Sequence, residues 1–144
     1  MPAPGYKFLP HTTDAYIQAA GTTLEEALER AGMALFDTMC DLKSISPDRV
    51  DDVEVTGVDE VALLYNWLES LLLKFELESK VYSKFKVTLT KRPSNSLQVN
   101  AKIYGEAYDK RKHGAKVEVK AVTYHKMEVA RDGANTALTF ILDL

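Results

Sequence analysis

Four short stretches of the chain carry residue types that could do chemistry. "HTTD", His11 to Asp14, groups an imidazole, two hydroxyls and a carboxylate just ahead of an apolar run. These are also ordinary turn residues, so the stretch alone does not define a site. At the other end, Asp143 sets a side-chain carboxylate beside the terminal carboxylate of Leu144. That end is either a solvated, frayed terminus or part of a site that needs clustered oxygen atoms. "GEAYDKRKHG" concentrates Lys110, Arg111, Lys112 and His113 in a basic turn, which reads as a solvated loop or as a contact for a partner's phosphate. In "KAVTYH", strict alternation puts His125 on the apolar face with Ala121 and Met127, as a core histidine bonded to a neighbour. Lys120 shares parity with Glu118, and an exposed ion pair between them would contribute about 0–1 kcal/mol.

The elements that must position these residues follow from hydrophobic period. "DAYIQAAG" alternates and ends at Gly21, a short first strand. A helix follows, with Thr22 and Glu25 at capping-box spacing. Leu24, Ala27, Leu28, Ala31, Leu35, Phe36 and Met39 form its apolar stripe. Cys40, at its end, has no activating neighbour in sequence and reads as a small core or boundary residue. "VDDVEVTGV" is a second strand, and Asp59 caps a second helix whose stripe runs through Leu64, Trp67, Leu68, Leu71, Leu72 and Phe75. Leu63 and Leu73 broaden that stripe, placing the helix centrally, and Trp67 reads as packing.

Beyond residue 80 the period changes to two. Val81, Phe85, Val87 and Leu89 share one face of a third strand, and Leu97, Val99, Ala101 and Ile103 one face of a fourth. Val117, Val119, Ala121, Met127 and Val129 share a face in the next run, and Leu138, Phe140 and Leu142 in the last. The run from Lys116 to Val129 exceeds the usual strand length of about 3–10 residues, so a bulge is expected within it. The order β-α-β-α-β-β-β-β defines an α+β, two-layer fold with two helices on a mainly antiparallel sheet. The paired helices and strands suggest an internal β-α-β duplication, and residues 1–144 are expected to form a single domain.

Composition narrows the function. The chain has 144 residues, 46% hydrophobic and 27% charged, with a net charge of −3. That balance argues against strong direct nucleic-acid binding, which would draw on Lys and Arg against phosphates. One cysteine excludes an internal disulfide. No apolar run is long enough to span a membrane and the start lacks a secretory pattern, so a cytoplasmic protein with no membrane association is expected. Signatures of common enzyme classes are missing: no P-loop, GxGxxG, GxSxG, CxxC or HExxH.

Taken together, the blocks resemble the archease family. "HTTDAYIQAAGTTLEEALERAGMALFDTMCD" is similar to the family's opening, close to His-Thr-Ala-Asp, a strand, Gly and Thr-Leu-Glu-Glu-Ala, with Thr13 here in place of Ala. "WLESLLLKF", "GEAYD", "EVKAVTYHKMEV" and the terminal Asp-Leu match later blocks in order. The resemblance implies a non-catalytic, metal-binding activator of the RtcB-type RNA ligase of tRNA splicing, promoting guanylylation of the ligase histidine and multiple turnover. Contact with tRNA and guanine nucleotide would then be indirect, through the ligase. Carried over, the metal ligands are the carboxylates of Asp14 and Asp143 and a terminal oxygen of Leu144. His11 becomes a residue that could orient the Asp14 carboxylate, and Lys120 and His125 become partner or phosphate contacts. Oxygen donors of this kind suit a hard ion such as Ca²⁺, Mg²⁺ or Mn²⁺, and the resemblance implies Ca²⁺ as the bound ion, with Mg²⁺ or Mn²⁺ as alternatives. Two other roles compete: a chaperone-like partner or specificity modulator of a tRNA-modifying enzyme such as a methyltransferase, and a stand-alone metal-dependent phosphohydrolase. The last lacks a clear nucleophile or general base.

Overall fold

Residues 3–10 and 14–144 are described in a computed structural model of the chain. In order, the elements are β1 (Gly5–Leu9), β2 (Ala15–Gly21), α1 (Leu24–Met39), β3 (Arg49–Gly57), α2 (Glu60–Glu78), β4 (Lys80–Lys91), β5 (Leu97–Ala107), the single-turn α3 (Lys110–His113), β6 (Ala121–Asp132) and β7 (Asn135–Asp143). From β2 onward the strands and the two long helices follow the order expected from hydrophobic period. The strands divide into two antiparallel sheets, β1-β2-β7-β6 and β3-β5-β4. β1 is an addition at the sheet edge: "GYKFL" is five residues long and lies between Pro4 and Pro10, and its Phe8 is half exposed, so it shows no clean alternation.

Both long helices start the same way. β2 and β3 each end in a buried glycine, and the helix N-cap lies two residues later, at Thr23 and Asp59. The Thr23 and Asp59 side chains accept the backbone N–H of Glu26 (3.1 Å) and Ala62 (2.8 Å). Thr22 is therefore not the cap; its hydroxyl donates to the Glu26 carboxylate at 2.7 Å, one residue out of the expected frame. At the two glycines the strand end meets the helix backbone. A Cβ on Gly57 would lie 2.5 Å from the Leu63 nitrogen, and one on Gly21 2.6 Å from the Glu26 Cβ. Because main chain cannot yield as a side chain can, Gly57→Ala is expected to cost more than about 2 kcal/mol in urea unfolding, a result an alanine tolerated without loss would contradict.

Each helix packs against strands of both sheets: α1 on β2 and β4, α2 on β3 and β6. The repeated strand-glycine-helix unit gives structural form to the suggested duplication. The core cluster is continuous through both helices and both sheets. Trp67 lies within it, fully buried, edge-on to Phe85 at 6.2 Å, with its indole N–H donated to the Leu28 carbonyl at 2.8 Å. Leu73 instead is largely exposed, so the apolar face of α2 is narrower than its composition implies.

The expected bulge falls in β6. Thr123 pairs with Ile141 and Glu128 with Thr139, so Tyr124 to Met127 stand opposite Phe140 alone. This breaks the alternation across the run. Val119, Val122 and Met127 are buried, whereas Val117 and Ala121 are exposed. His125 is likewise exposed, its N–H turned onto the Thr123 hydroxyl at 3.2 Å, and not the core histidine that strict parity assigns.

Candidate functional site

The register of the four-stranded sheet gathers the sequence-distant candidates at one end. β7 is an inner strand, flanked by β2 and β6. Ala15 pairs with Leu142, and continuing that register one step beyond β2, to the bend at Asp14, brings Asp14 across from Asp143. On the other flank Ala121 pairs with Asp143, and the Lys120 N–H donates to the Asp143 carbonyl at 2.7 Å. Neighbouring antiparallel strands bring facing Cα atoms within about 5 Å, close enough for two carboxylates to share one cation. Ile17, Phe140 and Leu142 point into the core, so Asp143 falls on the opposite face, exposed, with Ile141. Asp14 is half-buried.

The terminus is anchored. The Leu144 side chain, half-buried, packs against the core cluster. Such a donor set, two carboxylates and a terminal carboxylate, is all oxygen and would take a hard cation. Among the described residues no three His, Cys, Asp or Glu side chains form a metal cluster. His11, with Thr12 and Thr13, lies outside the described residues.

Lys120 is exposed and, among the described residues, makes no ion pair with Glu118. The segment leading to it is tied to α1: the Lys116 N–H donates to the Met39 carbonyl at 2.9 Å, and its ammonium to the Asp37 carbonyl and carboxylate at 2.9 and 3.0 Å. Cys40, beside that tether, is fully buried, and burial pushes its thiol up to about 11, which leaves it inert as a nucleophile near neutral pH.

The basic turn is largely absorbed into structure. His113 is 1% exposed; its Nδ1 accepts the Asp109 N–H at 3.0 Å, which fixes the proton on Nε2, 2.7 Å from the Glu106 carboxylate. Lys112 also donates to Glu106, and the Ser46 N–H completes the group at 2.9 Å. Two of the four basic residues are thus held by one acid, while Lys110 and Arg111 stay exposed. The role of Glu106 shows only in the fold, because its partners lie in two different segments, the turn at Lys112 and His113 and the loop at Ser46. Burial pushes its carboxyl up, but Lys112, the Ser46 N–H and His113 together outweigh burial and hold it down at about 2. A carboxyl lowered from 4.5 contributes stability in full above pH about 4.5 and loses it as pH falls toward 2. Glu106→Gln is expected to cost about 2 kcal/mol at pH 7 and to flatten the acid limb of the stability curve. Urea unfolding at pH 7 and pH 3 measures both; an equal cost at the two pH values would contradict the network.

The fold defines a class: small α+β proteins of two antiparallel sheets with two long helices packed on both. The model of the Archease protein family (MTH1598/TM1083) matches residues 6–144, and the chain belongs to that family. It is 37% identical over 139 residues to protein archease of Sulfurisphaera tokodaii, covering 96% of this chain and 98% of that one. To protein archease of Pyrococcus furiosus it is 41% identical over 121 residues, 84% of each chain. Its structure is similar to the solution structure of Methanobacterium thermoautotrophicum protein 1598, with a TM-score of 0.84, 34% identity, and coverage of 97% of this chain and 99% of that one. A Thermotoga maritima crystal structure, described as an archease and possible chaperone, shares the fold at a TM-score of 0.58 and 23% identity, covering 100% and 98% of the two chains. Among the described residues no helix is long and apolar enough to cross a membrane.

Proposed function

We propose that this protein is a non-catalytic accessory factor that binds a divalent cation at the end of β7 and uses it to activate an RtcB-type RNA ligase in tRNA splicing. The observation that carries the proposal is the register step that sets Asp14 alongside Asp143, with Leu144 anchored beside them. Asp14, Asp143 and the terminal carboxylate of Leu144 would hold the ion. A dication there turns the mutual repulsion of the carboxylates into attraction. Ca²⁺ takes six to eight oxygens, so three protein residues leave positions for water or for a partner's groups. When bound, the ion would supply charge neutralisation at the ligase's reacting nucleotide phosphates. The chain's own residues do the positioning: Lys120, held by its backbone bond to Asp143, would offer a cation to the same phosphates, and His125, exposed on the bulge of the neighbouring strand, would be a further contact.

The description of the Thermotoga relative as a possible chaperone is compatible with an accessory role. The test is single-turnover guanylylation of a purified RtcB-type ligase, with wild type, Asp14→Ala and Asp143→Ala. Stimulation by wild type and its loss in both variants is the expected outcome. Stimulation by all three would keep the partnership and remove the metal from its mechanism.

A further inference from the structure

The bulge in β6 carries a charged group for which the ion site alone has no use. Lys126 adopts a left-handed backbone, φ 56°, which costs about 1 kcal/mol or more for a residue with a Cβ. Bulges of this kind re-aim side chains. Here the Lys126 ammonium comes to lie 5.6 Å from the centroid of the Tyr16 ring. Tyr16 pairs with Ile141, and two residues nearer the sheet end, about 6–7 Å along each strand, stand Asp14 and Asp143. Alternation keeps Asp143 on the face of Ile141, and continued one residue beyond β2 it puts Asp14 on that of Tyr16. Tyr124 pins the bulge to α2 by stacking on Tyr65, ring centroids 4.2 Å apart and planes 4° from parallel. The strand thus holds a cation on the same face as the two acids, at a cost in backbone strain.

We propose that Lys126 is a phosphate-binding residue of this face, taking an oxygen of a nucleoside triphosphate whose other oxygens complete the shell of the bound ion. This rests on the metal-bearing role proposed above. A dication at Asp14 and Asp143 and the Lys126 ammonium repel each other across one sheet face, so the loaded site favours an anion that meets both. A triphosphate carries more negative charge than one dication neutralises, and an ammonium is a compact point charge for the remainder. No covalent step is involved.

The experiment uses Lys126→Gly, which removes the cation while suiting the left-handed backbone, and Lys126→Arg, which keeps the charge. Mn²⁺ affinity is read from water-proton relaxation, and Mg²⁺–guanosine triphosphate affinity from amide shifts in titrations to 10 mM. Lys126→Gly is expected to keep its melting temperature, to bind Mn²⁺ as well as or better than wild type, and to bind the Mg²⁺–nucleotide roughly threefold to tenfold more weakly, with Lys126→Arg restoring it. Unchanged nucleotide affinity in Lys126→Gly would overturn the proposal. So would parallel weakening of Mn²⁺ and nucleotide, the mark of a structural role, or a wild type that binds no Mg²⁺–nucleotide. The ion site itself is judged separately, by Mn²⁺ binding in Asp143→Ala.

Discussion

Asp143→Asn is expected to abolish cation-dependent stabilisation while leaving the cation-free protein as stable as wild type, or slightly more so. The change keeps the shape of the side chain and removes its charge. Without an ion, Asp143 is followed directly by the carboxylate-bearing Leu144, and the register of β2 and β7, continued one step, brings Asp14 across from it; like charges brought close disfavour each other. Removing one therefore relieves repulsion. With an ion, the same change deletes a ligand, and affinity is expected to fall by at least about 100-fold, beyond the 10–100-fold typical of supporting residues. Because ligand binding to the native state raises stability by mass action, Ca²⁺ at 100 times its Kd adds about 2.7 kcal/mol to wild type and almost nothing to the variant. Thermal unfolding with and without Ca²⁺ separates the outcomes. A variant destabilised without Ca²⁺ and still responsive to it would make Asp143 a structural residue.

The largest effect on stability is expected at Trp67. Its side chain is fully buried where α2 meets α1 and Phe85 of β4, and its indole N–H satisfies the Leu28 carbonyl at 2.8 Å. Trp67→Ala opens a cavity costing about 3–5 kcal/mol, and the carbonyl loses its side-chain donor as well. A loss this size approaches the whole stability of a domain, about 5–15 kcal/mol. Trp67→Phe keeps most of the volume and gives up the hydrogen bond, for an expected cost of about 1–2 kcal/mol. Urea denaturation orders the pair; equal costs would mean that the hydrogen bond, and not volume, dominates at this site.

Period carried most of the architecture. The stripes of α1 and α2 and the alternation of β4, β5 and β7 appear in the structure as buried faces because those elements pack on one continuous core. Where the sequence misled, a local feature of the backbone had intervened. The inserted residues of the β6 bulge turn His125 outward and bury Val122, and no apolar period records where such a break falls. β1 was missed because an edge strand is half wet and needs no alternation. The basic turn looked open because Glu106, which holds Lys112 and His113, comes from the preceding strand.

The candidate site rests on a different signal. Asp14 and Asp143 are separated by almost the whole chain, and nothing in period or spacing joins them. Family resemblance brought the two together, and the pairing of β2 with β7 supplies the physical route. Lys126 had no such signal: its place on that face depends on a left-handed turn inside a bulge, which only coordinates reveal.

Anomalous diffraction from a crystal of this protein soaked in Mn²⁺ tests the central claim most directly. One peak is expected about 2.1–2.6 Å from carboxylate oxygens of Asp14, Asp143 and the terminal Leu144. A peak bound elsewhere, or none at saturating Mn²⁺ with these carboxylates free of lattice contacts, would contradict it.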